Sequence, residues 1–133
     1  MTDLTMKIRT TKPYDETVAL VKEQLGVAGF GVLTEIDMKA TLKSKLDVDI
    51  EPQVILGACR PQLAHVALQV DPSIAALLPC NVVVRSDGDQ TLVEAFDPDV
   101  MISMSPQASP QLREIAVDAR SRLAGALAAV ENA

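Results

Sequence analysis

The chain has 133 residues, 48% of them apolar but only 2% aromatic, with a formal net charge of -6 and an isoelectric point near 4.6. That length suits one domain able to bury a core of its own, and the core has to be aliphatic. With no Trp, one Tyr and an acidic balance, base stacking and phosphate attraction are poorly served, which argues against nucleic acid or an anionic membrane as a partner.

No apolar run approaches the roughly 20 residues of a spanning helix. The start of the chain carries Asp3 and no apolar run before Met6, which does not fit a secretory signal. Two cysteines without a dense framework suit a reducing compartment, so a cytoplasmic location is the expectation.

Taken in order, Thr5 to Thr10 alternates apolar and polar and predicts a half-buried strand with Met6 and Ile8 towards the core. Lys12-Pro13 ends it. Tyr14, Val18, Val21, Leu25 and Ala28 recur at helical spacing, and Gly29 is placed to terminate that helix. Phe30 to Asp37 reads as the next strand, with Phe30, Val32, Thr34 and Ile36 on one face and Leu33, Glu35 and Asp37 on the other. Asp37 then precedes a short helix, Met38 to Leu46, and is a natural N-cap worth about 1 kcal/mol. Asp47 to Pro52 is an acidic connector.

Val54 to Cys59 is a continuous apolar run with Gly57 inside it, the pattern of a buried strand approached closely by another backbone. Pro61 opens a helix that runs to about Val70 and stops before Asp71-Pro72. Ser73 to Leu78 predicts a second, shorter helical piece. Asn81 to Arg85 is a valine strand, Ser86-Asp87-Gly88-Asp89 a hairpin turn, and Thr91 to Phe96 the antiparallel return. Asp97-Pro98-Asp99 breaks the pattern, and Val100 to Met104 fits an extended or a helical segment. Ser109 caps the last helix, whose apolar stripe is Leu112, Ile115, Ala116, Ala119, Leu123, Ala126, Leu127 and Val130.

This order predicts an α+β domain of two layers, a mainly antiparallel sheet with helices packed on one face: a β-α-β-β-β-β-α core with short helical insertions. A dinucleotide-binding fold is not indicated, because no Gly-x-Gly-x-x-Gly opens a helix.

The run Thr34-Glu35-Ile36-Asp37-Met38-Lys39-Ala40-Thr41-Leu42-Lys43, followed by Ile55-Leu56-Gly57-Ala58-Cys59-Arg60-Pro61, resembles the domain-of-unknown-function family 302. So do Ala64-His65 to Leu68 and Leu77-Leu78-Pro79-Cys80-Asn81-Val82, and the likeness covers nearly the whole chain. Arg60 stands where the family pattern usually has asparagine. The resemblance implies a TATA-binding-protein-like α+β fold and a homodimer, and it carries no settled activity.

Both cysteines sit at junctions between a hydrophobic strand and a helical segment. Cys59 precedes a helix N-terminus and adjoins Arg60, an environment that favours a thiolate; its alternative is a small buried hydrophobe closing a strand. Cys80 follows Pro79 at a strand entrance. If the sulfurs approach, a reversible disulfide or a shared soft metal becomes available, although the spacing is not Cys-x-x-Cys. His65 is the weak third candidate for a metal set with Cys59 and Cys80.

Glu35, Asp37, Lys39 and Lys43 form the polar constellation, either a pocket for an anion or simply a cap with solvated lysines. The expectation is therefore a homodimeric module binding a small ligand or metal near Cys59 and Cys80, with Glu35, Asp37, Lys43, Arg60 and Asn81 as further contacts. The alternative is a thiol-dependent redox protein using Cys59 and Cys80. Neither a catalytic set nor a cofactor is specified.

Overall fold

A computed structural model describes residues 4–104 and 108–133, so the reading of Asp3 lies outside the described residues. The strands are β1 (Thr5–Thr10), β2 (Gly31–Asp37), β3 (Gln53–Cys59), β4 (Cys80–Asp87) and β5 (Gln90–Phe96). The helices are α1 (Tyr14–Val27), α2 (Met38–Leu46), α3 (Pro61–Val70), α4 (Pro98–Ser103) and α5 (Pro110–Glu131), with a 3-10 turn at Pro72–Leu77. The strands form one sheet in the order β1-β5-β4-β3-β2, and all neighbours are antiparallel. The predicted α+β arrangement is the one observed.

The apolar pattern explains which face is covered. Val54, Leu56 and Ala58 of β3 share a face with Val82 and Val84 of β4 and with Val93 and Ala95 of β5. Against them pack Val21 and Leu25 of α1 and Leu123, Ala126, Leu127 and Val130 of α5. At roughly 1.5–3 kcal/mol for each fully buried Val or Leu side chain, this aliphatic layer is the main stabilising element. Met6 and Ile8 pack on its edge as expected. Thr17 is also fully buried, because its hydroxyl donates to the Pro13 carbonyl oxygen at 2.8 Å and so needs no water.

The caps fall where the sequence places them. The Asp37 side chain accepts from the Ala40 amide at 2.9 Å, and Ser109 accepts from the Leu112 amide at 3.2 Å. Gly29 ends α1 with φ +93° and Gly88 turns the β4–β5 hairpin with φ +66°, conformations that glycine adopts without strain. Strand β4 runs on to Asp87, which shortens the turn to two residues, Gly88 and Asp89. The ambiguous Val100 to Met104 segment is helical, as α4, and the Asp97 side chain caps it.

One expectation fails. Val32 pairs with Ala58 but Thr34 pairs with Gly57, so Leu33 is an extra residue and the alternation of β2 breaks there. Val32, Glu35 and Asp37 consequently share the helix-covered face, while Thr34 and Ile36 lie on the open face. The predicted common face for Val32, Thr34 and Ile36 does not form, because a bulge shifts the side-chain phase by one residue.

Candidate functional site

Backbone pairing fixes the two cysteines. Ala58 pairs with Cys80 across the β3–β4 ladder, so Cys59 is the diagonal neighbour of Cys80. Ladder spacing puts their α-carbons about 6 Å apart. Pleating would send the side chains of Ala58 and Cys80 to one face and that of Cys59 to the other. Cys59 is the last strand residue, however, and it lines the same cleft as Cys80. Both thiols are free and partly buried.

That cleft is closed by α3 through Leu63, Ala64 and Ala67, by the 3-10 turn through Ile74, and by α4 and α5 through Met101 and Ile115. Its volume is ≈ 50 Å³, and an adjoining hollow of ≈ 160 Å³ shares Ala67, Ile74, Met101 and Ile115 with it. The lining of the cleft proper is apolar apart from the two cysteines and Arg60. Burial pushes the Cys80 thiol up, and the neighbouring Cys59 adds to the effect. Arg60 also reaches Gly29: a β-carbon at position 29 would lie 3.1 Å from Arg60 Nε and 3.8 Å from Arg122 Nη1.

The remaining expected site residues are placed elsewhere. Asp37 pairs with Val54, five residues along β3 from Cys59, which separates them by roughly 17 Å. Asp37 is engaged as the α2 cap, and Glu35 accepts an ion pair from Lys22 at 2.8 Å. Their charges are felt instead by Tyr14, whose phenol is pushed up by burial first and then by Asp37, Asp15 and Glu35. Lys43 pairs with Asp47 at 2.9 Å and Asp49 at 3.6 Å, and Lys39 donates to the Ile50 carbonyl oxygen. A single pocket joining Glu35, Asp37 and Lys43 to the cysteines is therefore not formed, since the acidic pair and the sulfurs occupy opposite ends of β2 and β3.

Asn81, next to Cys80, points to the open face. There it lines a trough of ≈ 520 Å³ with Gln53, Val83, Arg85, Glu94 and Phe96. Its charges satisfy each other: Arg85 pairs with Glu94 at 2.9 Å, and the Thr5 hydroxyl donates to Glu94 at 2.8 Å. His65 is exposed on α3 and does not line the cleft. Among the described residues no three of His, Cys, Asp and Glu gather as a metal-holding group. Sequence reasoning missed Ile74, Met101, Ile115 and Arg122. Arg122 carries no local motif, and only the packing of α5 beside the α1–β2 junction brings it to Gly29.

The sequence pattern described as "Domain of unknown function DUF302" matches residues 6–130. The chain belongs to this family. A solved DUF302 structure, described as an uncharacterized conserved protein from Bacillus stearothermophilus, is similar at 31% identity and a TM-score of 0.86. The alignment covers 95% of this chain and 97% of that one. No curated protein matches the chain. Among the described residues no helix is long and apolar enough to cross a membrane.

Proposed function

We propose that this DUF302 protein is a small-ligand-binding module, acting as a homodimer, whose ligand sits in the cleft bearing Cys59 and Cys80. The observation that supports it is the mostly apolar space between α3, the 3-10 turn and α5, left unfilled by the described side chains beside two free thiols. An apolar cavity of about 150 Å³ holds a benzene-sized guest, so this volume suits a compact ligand and not a drug-sized one. His65, the third metal candidate, is exposed on α3 and does not line the cleft.

The test is native mass spectrometry together with amide chemical-shift mapping using benzene and octanol as probes. Shifts confined to Leu63, Ala64, Ala67, Ile74 and Met101 are the expected result. Probes that shift nothing in this region would overturn the reading.

Dimerisation has separate support. Ile36 pairs with Ile55, which pairs with Val83, so an apolar row spans β2, β3 and β4 on the open face and ends at Glu94 of β5. Ile36 is 45% exposed and nearby Leu77 48%. A second copy laid on this face would bury the row. The thiol-redox alternative is favoured by the adjacency of Cys59 and Cys80 in the ladder, and it is weakened by the raised Cys80 thiol, because the thiolate is the attacking form.

A further inference from the structure

The cleft beside the two cysteines offers a guest almost no oxygen or nitrogen. Among the described residues no Asp, Glu, His, Asn, Gln, Ser, Thr or Tyr lines it, and no buried side-chain nitrogen or oxygen lacks a partner. What the lining offers instead is sulfur. Cys59 from the end of β3, Cys80 from the start of β4 and Met101 of α4 all border the same ≈ 50 Å³ of space. The Ala58–Cys80 pairing makes the cysteines diagonal neighbours, with α-carbons about 6 Å apart. Helix α4 is fixed by its Asp97 cap on the Asp99 amide at 3.0 Å, and Arg120 of α5 holds Asp97 at 3.1 Å and Asp99 at 3.4 Å. Both thiols are free and partly buried, and Met101 is half-buried.

We infer that the cleft binds one soft monovalent cation of the Cu(I) kind, held by the Cys59 and Cys80 thiolates with the Met101 thioether as third donor. This rests on the ligand-binding reading above and assigns the end of the cleft that bears the sulfurs. Thiolate and thioether sulfur suit Cu(I), whereas structural zinc takes four ligands and calcium or magnesium takes oxygen. A metal–sulfur bond of about 2.3 Å puts two sulfurs on one ion up to about 4.6 Å apart, within reach of neighbouring cysteines in a ladder. Methionine is unbranched and turns about three bonds, so its sulfur reaches the third position without moving α4.

Charge points to the same class of ion. Binding exchanges two S–H protons, released to solvent, for two S–Cu bonds, and nothing is oxidised or reduced. Two thiolates and a monovalent cation leave one negative charge in apolar surroundings, where it is costly unless balanced. Among the described residues Arg60 is the one charged side chain lining the cleft, and it makes no ion pair. It balances that charge from beside Gly29 without acting as a ligand. A divalent ion would already neutralise both thiolates and leave Arg60 without a counter-charge.

The experiment titrates the fully reduced chain, without oxygen, with Cu(I) held by the chromogenic chelator bathocuproine disulfonate, while native mass spectrometry counts the ions bound. Wild type is expected to draw one Cu(I) per chain from the chelator. X-ray absorption should then place two or three sulfurs around the ion and no nitrogen or oxygen. C59S and C80S should each weaken binding at least about a hundredfold, and M101L, which keeps the apolar volume, roughly fivefold to tenfold. Zinc should be lost on desalting. Copper left entirely on the chelator, a nitrogen or oxygen neighbour, zinc retained as firmly as copper, or undiminished affinity in any of the three variants overturns the inference. Absorption on wild type decides the donor set whether or not the serine variants fold. Benzene or octanol shifts in the cleft without copper uptake would overturn this inference alone, and copper uptake without those shifts would support it while overturning the apolar guest.

Discussion

Thr34 stands so close to Gly57 across the β2–β3 ladder that a β-carbon at position 57 would lie 2.2 Å from the Thr34 hydroxyl oxygen. The ring of Pro79 closes the other side, 2.8 Å from the same point. Glycine is required here by crowding, not by its backbone angles. Gly57→Ala is expected to destabilise the protein by about 1–3 kcal/mol, the usual range for overpacking. The double variant G57A/T34A should recover part of that loss, and the remainder reports the unrelieved contact with Pro79. Urea unfolding of the four proteins measures the coupling. Additive effects would show that Thr34 is not the obstacle.

The cysteines should differ in reactivity. Burial and the neighbouring Cys59 hold the Cys80 thiol above its usual range, so Cys80 should alkylate slowly at neutral pH and accelerate only as pH rises past that range. Cys59 is expected to label first with iodoacetamide, read by peptide mass spectrometry across a pH series. Diamide then discriminates the redox alternative: an intramolecular disulfide lost in C59S and in C80S would support it. Faster labelling of Cys80 than of Cys59 would contradict the expected order.

Glu94 gives a pH signature. Burial alone would raise its carboxyl, but hydrogen bonds from Arg85 and Thr5, with the charges of Arg85 and Lys7, outweigh burial and hold it below the usual range. A depressed folded-state pKa contributes stability that is present above the unfolded value, about 4.3, and is lost as pH falls through the folded value. Glu94→Gln should therefore cost roughly 1 kcal/mol at neutral pH, discounted for the half-open Arg85, and the cost should shrink in acid. Thermal melts between neutral pH and strongly acidic pH check this. A penalty independent of pH would assign the effect to packing.

The dimer is checked by light scattering. The expected mass at micromolar concentration is twice 14.2 kDa. Ile36→Glu should return the monomer with little change in the monomer's own stability, because Ile36 is already 45% exposed on the open face. A wild-type monomer at those concentrations would remove the proposed assembly.

Most of the architecture was legible because each element announces itself locally. Pro61 and Pro110 open α3 and α5, Asp37 caps α2, Ser109 caps α5, and Gly88 turns the hairpin. The α5 stripe from Leu112 to Val130 could be read from spacing alone, and all its predicted members are buried except Ile115, which is half-buried. The site was legible only in part. Cys59, Arg60 and Cys80 share one cleft, but Glu35, Asp37 and Lys43, read as a polar constellation belonging to the same pocket, do not join it. Strand direction decided otherwise, since β2 and β3 run antiparallel and carry those residues to the opposite end. Nothing local marks Leu33 as a supernumerary residue either: a bulge is set by what the partner strand offers, and period-two reading assumes there is none.

The bulge at Leu33 has a bearing on how the protein stays dispersed. Strand β2 lies at the margin of the sheet, where unpaired amides and carbonyls invite a stranger's strand to continue the ladder. An interruption at Leu33 spoils the even spacing such a template needs, and Glu35 and Asp37 add charge along the same margin. Removing Leu33 would leave every observed β2–β3 partnership in register while straightening that border. Its penalty would thus emerge as fibre or aggregate on concentration and warming, with the cooperative unfolding transition hardly moved.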